Sequence, residues 1–517
     1  MSNQSIAKAA VVILAFSTIG RLLGFVREQV IAAQYGTSVY TDAYVMAFTL
    51  PNLLYIIIGG ALATAFIPVF TSIAVQKGEE EASHMASSVI NLTIIGMVVV
   101  SIIGVLIAPL LVAIIAPGFE QEARELTIEL TRIMFPAVLF LALSMLIGGI
   151  LNSYKRFAAA AFAPVAFSGI IIISVFTLVP LMGIYGLALG TVLGTVAQVA
   201  IQLPFLKRLN LRYKLEAQIK NPAITKMGEL MFPAMIGTSV NQLYVTIDRI
   251  LASGLATGSI AALNFANKLM FLPYNLFVMA INTAVFPSLS EQAAKQKFED
   301  MGRTTVFGLN LVAFFTIPAA IGIFVLSEPL VRLLFERGAF DAHSTELTVF
   351  ALNFYLIGLF AQGAFHVLNR TYFAMQDTKT PVKINIFSVF LNLIFSLILI
   401  RYLAHGGLAL ATSLAAICNM ILVYSFLRRK LPTLPERQLF FTLGKVLFAS
   451  VIMGVAVHFS SMYLVSQLAM VSLWDQLVHI CGSIFIGVLV YGLAILPLKI
   501  EEVEYVKDRF LERLARR

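Results

Sequence analysis

The chain has 517 residues, of which 59% are hydrophobic and 12% charged, with a mean hydropathy of +0.90 and a formal net charge of +9. That profile excludes an ordinary soluble enzyme and points to a polytopic membrane protein. Only two cysteines occur, Cys418 and Cys481, both in apolar stretches, which argues against a disulfide framework or a cysteine metal site.

A helix needs about 20 apolar residues to cross the hydrocarbon core. The sequence predicts an all-α membrane protein with about fourteen such segments, roughly at 7–33, 40–74, 87–115, 128–151, 160–182, 184–205, 229–253, 258–288, 305–326, 345–373, 382–402, 406–427, 440–464 and 475–497. The runs are long and do not alternate, so a β-barrel is not expected. The first segment contains Arg21 and Arg27, lacks a clear cleavage site and leads into further spans, so no cleavable signal peptide is expected.

Rare charges sit inside these segments. Arg21, Arg27 and Glu28 interrupt the first, Asp248 and Arg249 the seventh, and Lys268 the eighth. A charge at bilayer depth costs roughly 2.5–3.5 kcal/mol on insertion scales, so such residues tend to face protected, functional cavities. Arg21, Arg27 and Lys268 suggest a pocket for an anion, because arginine matches a phosphate with two parallel hydrogen bonds and lysine adds a point charge.

Helical spacing puts Arg21 and Glu28 on one face, with Arg27 turned by roughly 120° and about 9 Å further along. Asp42, at the start of the second segment, is within reach of Arg27. Two readings stay open: a ligand site, or structural ion pairs Arg21–Glu28 and Arg27–Asp42. Lys268 has no obvious local carboxylate, although it could snorkel outward. The side chains of Asp248 and Arg249 diverge by about 100°. Asp248 could bind a coupling cation together with Asn385, Asn392 or Thr412, whose oxygens suit a hard ion. A structural pair with another helix is an equal alternative, and Arg249 is an accessory candidate.

The sequence resembles itself at an offset of about 220. Leu50-Pro51 recurs as Leu272-Pro273, Pro109-Leu110 as Pro329-Leu330, Glu125-Leu126-Thr127 as Glu346-Leu347-Thr348, and Gly186-Leu187-Ala188-Leu189 as Gly407-Leu408-Ala409-Leu410. Leu151-Asn152 precedes Pro164 as Leu368-Asn369 precedes Pro381, and Arg27 falls opposite Arg249. Two six-helix repeats follow, in parallel orientation because an even number of spans returns the chain to its starting side. The expected organisation is a lobe at 1–205, a basic cytoplasmic linker at 206–228, a second lobe at 229–430, two additional helices at 431–498, and an amphipathic cytoplasmic tail at 499–517. In the tail, Val503, Val506, Phe510 and Leu514 share a helical face among charges.

Basic residues gather in alternate loops, including Lys155-Arg156, Lys207-Arg208, Lys295 to Arg303 and Arg428-Arg429-Lys430, which places both termini in the cytoplasm. The net positive charge therefore reads as membrane topology and not as nucleic-acid binding. Prolines such as Pro51, Pro136, Pro273 and Pro318 favour kinks within spans. No HExxH, nucleophile elbow or phosphate-binding glycine loop is present, so no enzyme is expected. His366, in the tenth segment, reads as a structural histidine.

With Gly20-Arg21-Leu22-Leu23-Gly24-Phe25-Val26-Arg27-Glu28, Thr41-Asp42-Ala43, Leu50-Pro51-Asn52-Leu53-Leu54, Ala116-Pro117-Gly118-Phe119 and Asp377-Thr378-Lys379-Thr380-Pro381, the chain resembles the MurJ (MviN) family over nearly its whole length. These are bacterial lipid II flippases of the multidrug/oligosaccharidyl-lipid/polysaccharide exporter superfamily. The resemblance implies fourteen helices in two lobes, plus a lipid-facing groove formed by the last pair. It implies a central cationic cavity for the diphosphate–sugar head group, with the polyprenyl tail left in lipid. By position, Arg21, Arg27 and Asp42 match family functional residues and Asn52 matches its motif. Lys268 stands where many members have arginine, and Tyr55 and Gly59-Gly60 replace charged positions of the second helix. An acidic residue of helix seven binds sodium in some members, and Asp248 is its counterpart.

These readings predict a flippase that moves lipid II from the inner to the outer leaflet of the bacterial cell membrane by alternating access. Its partners would be lipid II or a related polyprenyl-diphosphate glycolipid, membrane lipids and cell-wall synthesis proteins, with no nucleic acid. No cofactor is expected beyond a coupling sodium ion or proton. The alternatives are an exporter of another polyprenyl-diphosphate oligosaccharide and, less favoured, a cation-coupled drug antiporter.

Overall fold

The computed structural model of the protein describes residues 3–209, 211, 213–218, 221–431, 433–468 and 472–498, and among these it is helical with no strand. The amphipathic tail expected at 499–517 lies outside the described residues. The chain divides into two compact units, Met1–Ala261 with Arg337–Phe340, and Ala262–Glu336 with Asp341–Arg517.

The first unit contains α1 (Asn3–Tyr35), α2 (Val39–Leu54), α3 (Gly60–Gln76), α4 (Glu79–Leu106), α5 (Ala108–Ile115), α6 (Gln121–Met134), α7 (Ala137–Ser153), α8 (Phe157–Thr177), α9 (Val179–Met182), α10 (Ile184–Lys207) and α11 (Pro222–Ala252). The second contains α12 (Ser259–Pro273, its first turn counted with the first unit), α13 (Met279–Ala294), α14 (Phe298–Val325), α15 (Ser327–Phe335), α16 (Ala342–Ile357), α17 (Leu359–Ala374), α18 (Lys379–Lys430), α19 (Glu436–Gln467) and α20 (Leu473–Ile495). Among the described residues, nine helices are long and apolar enough to cross a membrane, or eleven when each of two bent pairs forms one span. α1 and α11 stand outside that set, and α18 folds back at Ala404. The expected fourteen segments are consistent with this arrangement.

Local chemistry sets the helix ends. Asn221 accepts from the Ala223 amide ahead of α11, with Pro222 at the first helical position, where a missing N–H costs nothing. Asp341 accepts from the Ser344 amide at the start of α16. Ser472 and Asp475 form a reciprocal capping box on α20. In the first unit, Phe66, Phe70, Met85, Leu146 and Ile150 form a core among α3, α4 and α7. In the second, Val446, Met453 and Val457 of α19 and Tyr491 and Ile495 of α20 pack with Leu326 and partly buried residues of α14. The Tyr491 hydroxyl donates to the Phe314 carbonyl, fastening the last helix pair to its unit. α11, expected to open the second lobe, packs against α3 within the first unit.

The repeat is visible inside each unit. Both second spans widen into a π-turn just after a proline: Tyr55–Gly59 after Pro51, and Tyr274–Val278 after Pro273. Proline withholds the N–H that an α-turn needs, and a π-turn is one way to absorb that defect. α6 and α7 meet at 41°, and α16 and α17 at 42°. Left-handed residues recur at Gly36 and Gly258, Gly78 and Gln296, Lys155 and Gln376, and Gly183 and Ala404. The repeated Gly-Leu-Ala-Leu has a packing reason. A Cβ on Gly186 would lie 2.5 Å from the Leu178 carbonyl oxygen, and one on Gly407 would lie 2.4 Å from that of Leu399.

One pairing read from sequence is out of register. The Arg156 amide bonds the Leu151 carbonyl, and the Asp377 amide bonds the Tyr372 carbonyl, closing equivalent helix ends. Leu151 therefore corresponds to Tyr372 and not to Leu368, one helical turn away. Leu-Asn is too common a pair to fix a register by itself.

Candidate functional site

In the first unit, Arg21 is exposed on an otherwise apolar stretch of α1 and makes no hydrogen bond or ion pair with a described residue. Arg27 is partly buried. Its guanidinium donates to the Glu28 carboxylate at 2.6 Å and lies 5.3 Å from the centre of the Phe167 ring on α8. Glu28 is buried. The charged pair of α1 is thus Arg27–Glu28, in place of the alternatives Arg21–Glu28 and Arg27–Asp42. Adjacent helical side chains start about 100° apart, but the arginine stem is long enough to bend back.

Asp42, only 4% exposed, is held by backbone. Its two oxygens accept from the amides of Gly258 at 2.6 Å and Ala261 at 2.7 Å. It thereby caps the first turn of α12, where unpaired amides and the positive end of the helix dipole favour a carboxylate. Neighbouring Thr41 donates to the Gly36 carbonyl, bracing the left-handed turn between α1 and α2. Asn52 is half-buried, and its carbonyl accepts from the Tyr55 amide where the π-turn begins.

Asp248 is buried in α11, and Arg249 beside it donates to the Thr49 hydroxyl of α2 at 2.8 Å. Thr49 was not singled out from sequence. Its partner lies 200 residues away and no local pattern marks it.

The second unit holds Lys268, half-buried on α12. It also holds Asn385, Asn392 and Thr412 on α18, in two separate contacts across its fold. Asn392 donates to Thr412 at 3.4 Å, and Asn419 donates to the Asn385 side-chain oxygen at 3.2 Å. The Oδ1 atoms of Asn392 and Asn419 are buried and accept no hydrogen bond from a described residue. Both pairs offer neutral oxygens. Among the described residues no three His, Cys, Asp or Glu side chains converge as a metal site. Among the further cations within predicted spans is Arg370, exposed on α17.

An apolar cleft of about 510 Å³ opens in the second unit among α14, α15, α19 and α20. Phe277, Phe314, Phe315, Met453, Val457 and Tyr491 contribute to its walls. Its chemistry suits a hydrocarbon chain, and its walls come mostly from α14 and α20.

Comparison with known proteins gives the family of the chain. The family model "Lipid II flippase MurJ" matches residues 31–478. The chain belongs to the MurJ lipid II flippase family. The lipid II flippase MurJ of Burkholderia cenocepacia is 31% identical, over 83% of this chain and 84% of its own. The probable lipid II flippase MurJ of Rickettsia prowazekii is also 31% identical, over 92% of this chain and 96% of its own. Among solved structures, a lipid II flippase MurJ in an inward closed conformation matches with a TM-score of 0.78 and 27% identity, covering 94% of this chain and 98% of that one. A multidrug resistance MATE family transporter of the MOP superfamily, facing inward, matches with a TM-score of 0.70 at 16% identity over 83% of this chain, a likeness of fold alone. MurJ membership and the apolar helices establish a multi-pass membrane protein of a transporter family.

Proposed function

We propose that this protein flips lipid II from the inner to the outer leaflet of the bacterial cell membrane by alternating access, with both termini in the cytoplasm. The observation that carries this reading is the cationic α1. Arg21 stands exposed within an apolar helix, and Arg27 follows 9 Å along by helical rise, in a chain of the MurJ family. An exposed guanidinium in such a segment lacks water's solvation and gains most from an anion that enters with it. Arg21 and Arg27 take the diphosphate in the first unit, and Lys268 is a separate cationic candidate for the head group in the second. The apolar cleft beside α19 and α20 shelters part of the polyprenyl tail, whose burial is favourable at roughly 25 cal/mol per Å².

Asp42 supports the site by holding the first turn of α12, and Glu28 by fixing the Arg27 head. Asp248 is the carboxylate for a coupling proton or sodium ion in the first unit. In the second, Asn392 with Thr412, and separately Asn385, offer neutral oxygens to such an ion. Transport needs no bond to be made or broken, so no catalytic group is assigned.

The test is rescue of a strain depleted of its own lipid II flippase, with Arg21→Ala and Arg27→Ala variants at matched membrane levels. Rescue by the wild type and loss in both variants is expected. A well-expressed wild type that does not rescue overturns the lipid II assignment.

A further inference from the structure

α17 has two unlike faces. Ala364, Val367, Leu368, Thr371 and Tyr372 are buried, while His366 and Arg370, one turn apart, are exposed. The polar face turns toward the span formed by α12, its π-turn and α13. Gln362 donates to the Met270 sulfur at 3.8 Å, the His366 ring meets the Tyr274 ring edge-on at 5.6 Å, and the Arg370 guanidinium lies 4.9 Å from the centre of the Phe286 ring. The same span carries Lys268. Neither His366 nor Arg370 makes a hydrogen bond or an ion pair with a described residue.

A guanidinium in a membrane-spanning segment normally pairs with a carboxylate or reaches away to the headgroups. This one is exposed and lies against an aromatic face of its own unit. The ring quadrupole holds the cation in place but fills none of its five N–H donors. Such a group is positioned and left open to an acceptor.

We propose that Arg370, with His366 one turn away, is a further anion-binding position for the transported head group, taking a phosphate or carboxylate oxygen. The proposal rests on the flippase reading. Phe286 holds the guanidinium plane, two parallel N–H groups address the anion, and His366 adds a single ring N–H. The sequence gives Arg370 no charged neighbour within one turn, the nearest acidic residue being Asp377.

The test compares full-length wild type, Arg370→Gln, Arg370→Lys and His366→Gln in nanodiscs. Two probes are used, undecaprenyl diphosphate and lipid II, and thermal stability is measured alongside. Arg370→Gln should weaken binding by about tenfold or more, the scale of one charge-assisted hydrogen bond. Arg370→Lys should fall between, because the charge stays and the fork is lost. Weakening for both probes assigns the contact to phosphate, and weakening for lipid II alone assigns it to a head-group carboxylate. Unchanged affinity in Arg370→Gln for both probes overturns the proposal while leaving the flippase reading intact. Should Arg370→Gln fail to fold, Arg370→Lys decides: full wild-type affinity in that variant overturns the bidentate contact. A lowered Tm with intact affinity in either variant assigns Arg370 to packing on Phe286 and overturns it equally. A wild type that binds neither probe overturns the flippase reading itself.

Discussion

Gly183 and Ala404, 221 residues apart, hold nearly the same backbone conformation, with φ 58°, ψ −137° and φ 46°, ψ −128°. Each turns the chain back between two membrane helices, α8–α9 to α10 in the first unit and within α18 in the second. The angles are those of the first central position of a type II′ turn, which glycine occupies without a steric penalty. Alanine carries the strain of a Cβ there, of order 1–3 kcal/mol. Ala404→Gly should therefore stabilise the protein by about 1 kcal/mol after the greater freedom of glycine in the unfolded chain, about 0.4–1 kcal/mol, is subtracted. Thermal unfolding in detergent reads this as a raised Tm. Gly183→Ala should lower Tm, and an unchanged Tm in both variants would count against the strain.

Those two turns also show how far the sequence could be read. The repeat, the membrane class and the charged spans are local or periodic properties, and a single chain displays them. The common Gly-Leu-Ala-Leu marks true equivalents because its glycine is demanded by contact with a preceding carbonyl in each unit. Leu151-Asn152 and Leu368-Asn369 mislead because nothing in the packing requires that pair. The cap that Asp42 places on Gly258 and Ala261 joins residues more than 200 apart, and no period encodes it. The Arg27–Glu28 pair was obscured for the opposite reason. Ideal spacing separates neighbours, and only the flexibility of a long side chain reunites them.

Asp42 should be intolerant even of its amide. Asp42→Asn keeps the shape but turns one acceptor into a donor facing a backbone N–H. Leaving a buried amide unsatisfied costs about 1–3 kcal/mol, and more when a charged partner is lost. Asp42→Asn should lower Tm and membrane abundance, and Asp42→Ala should lower them further. Wild-type Tm in the asparagine variant would show that the cap contributes little to stability.

Asp377 predicts a pH dependence confined to acid. Burial works to raise its carboxyl, but hydrogen bonds from the Lys430 ammonium and from the Thr380 hydroxyl and amide outweigh it and hold it at about 2. The ordinary value of 3.8 applies in the unfolded chain. A group depressed in the folded state stabilises it above the unfolded value and loses that contribution as pH falls through the folded one. The contribution is therefore complete above about pH 5 and is lost progressively toward pH 2. Asp377→Asn should lower Tm at neutral pH and flatten the acid limb of a Tm–pH curve. An acid limb identical to that of the wild type would assign the acid response to other carboxylates.

Asn91 should govern how firmly the segment after α10 is strapped to the membrane helices. Residues 213–218, neither helix nor strand, lie against α4 and offer their backbone to it. Asn91 donates to the carbonyls of Lys214 at 2.9 Å and Glu216 at 2.8 Å, while the Lys214 amide bonds Ser87 and the Gln218 amide bonds Ser88. His84 adds contacts with Glu216 and Lys214 at 2.6 and 3.0 Å. Within the segment the Glu216 amide bonds the Lys214 carbonyl, and without a helix or strand ladder the rest of its backbone depends largely on these side chains. Asn91→Ala removes two bonds at once and leaves the Tyr213 hydroxyl without its acceptor, at a cost of about 1–3 kcal/mol. Most of that cost should appear as local release, because the strap contributes little to the core of α3, α4 and α7. Limited trypsin digestion should cut after Lys214 several-fold faster in Asn91→Ala than in the wild type, with a small change in Tm. Equal cleavage rates would mean that Ser87, Ser88 and His84 hold the strap without Asn91.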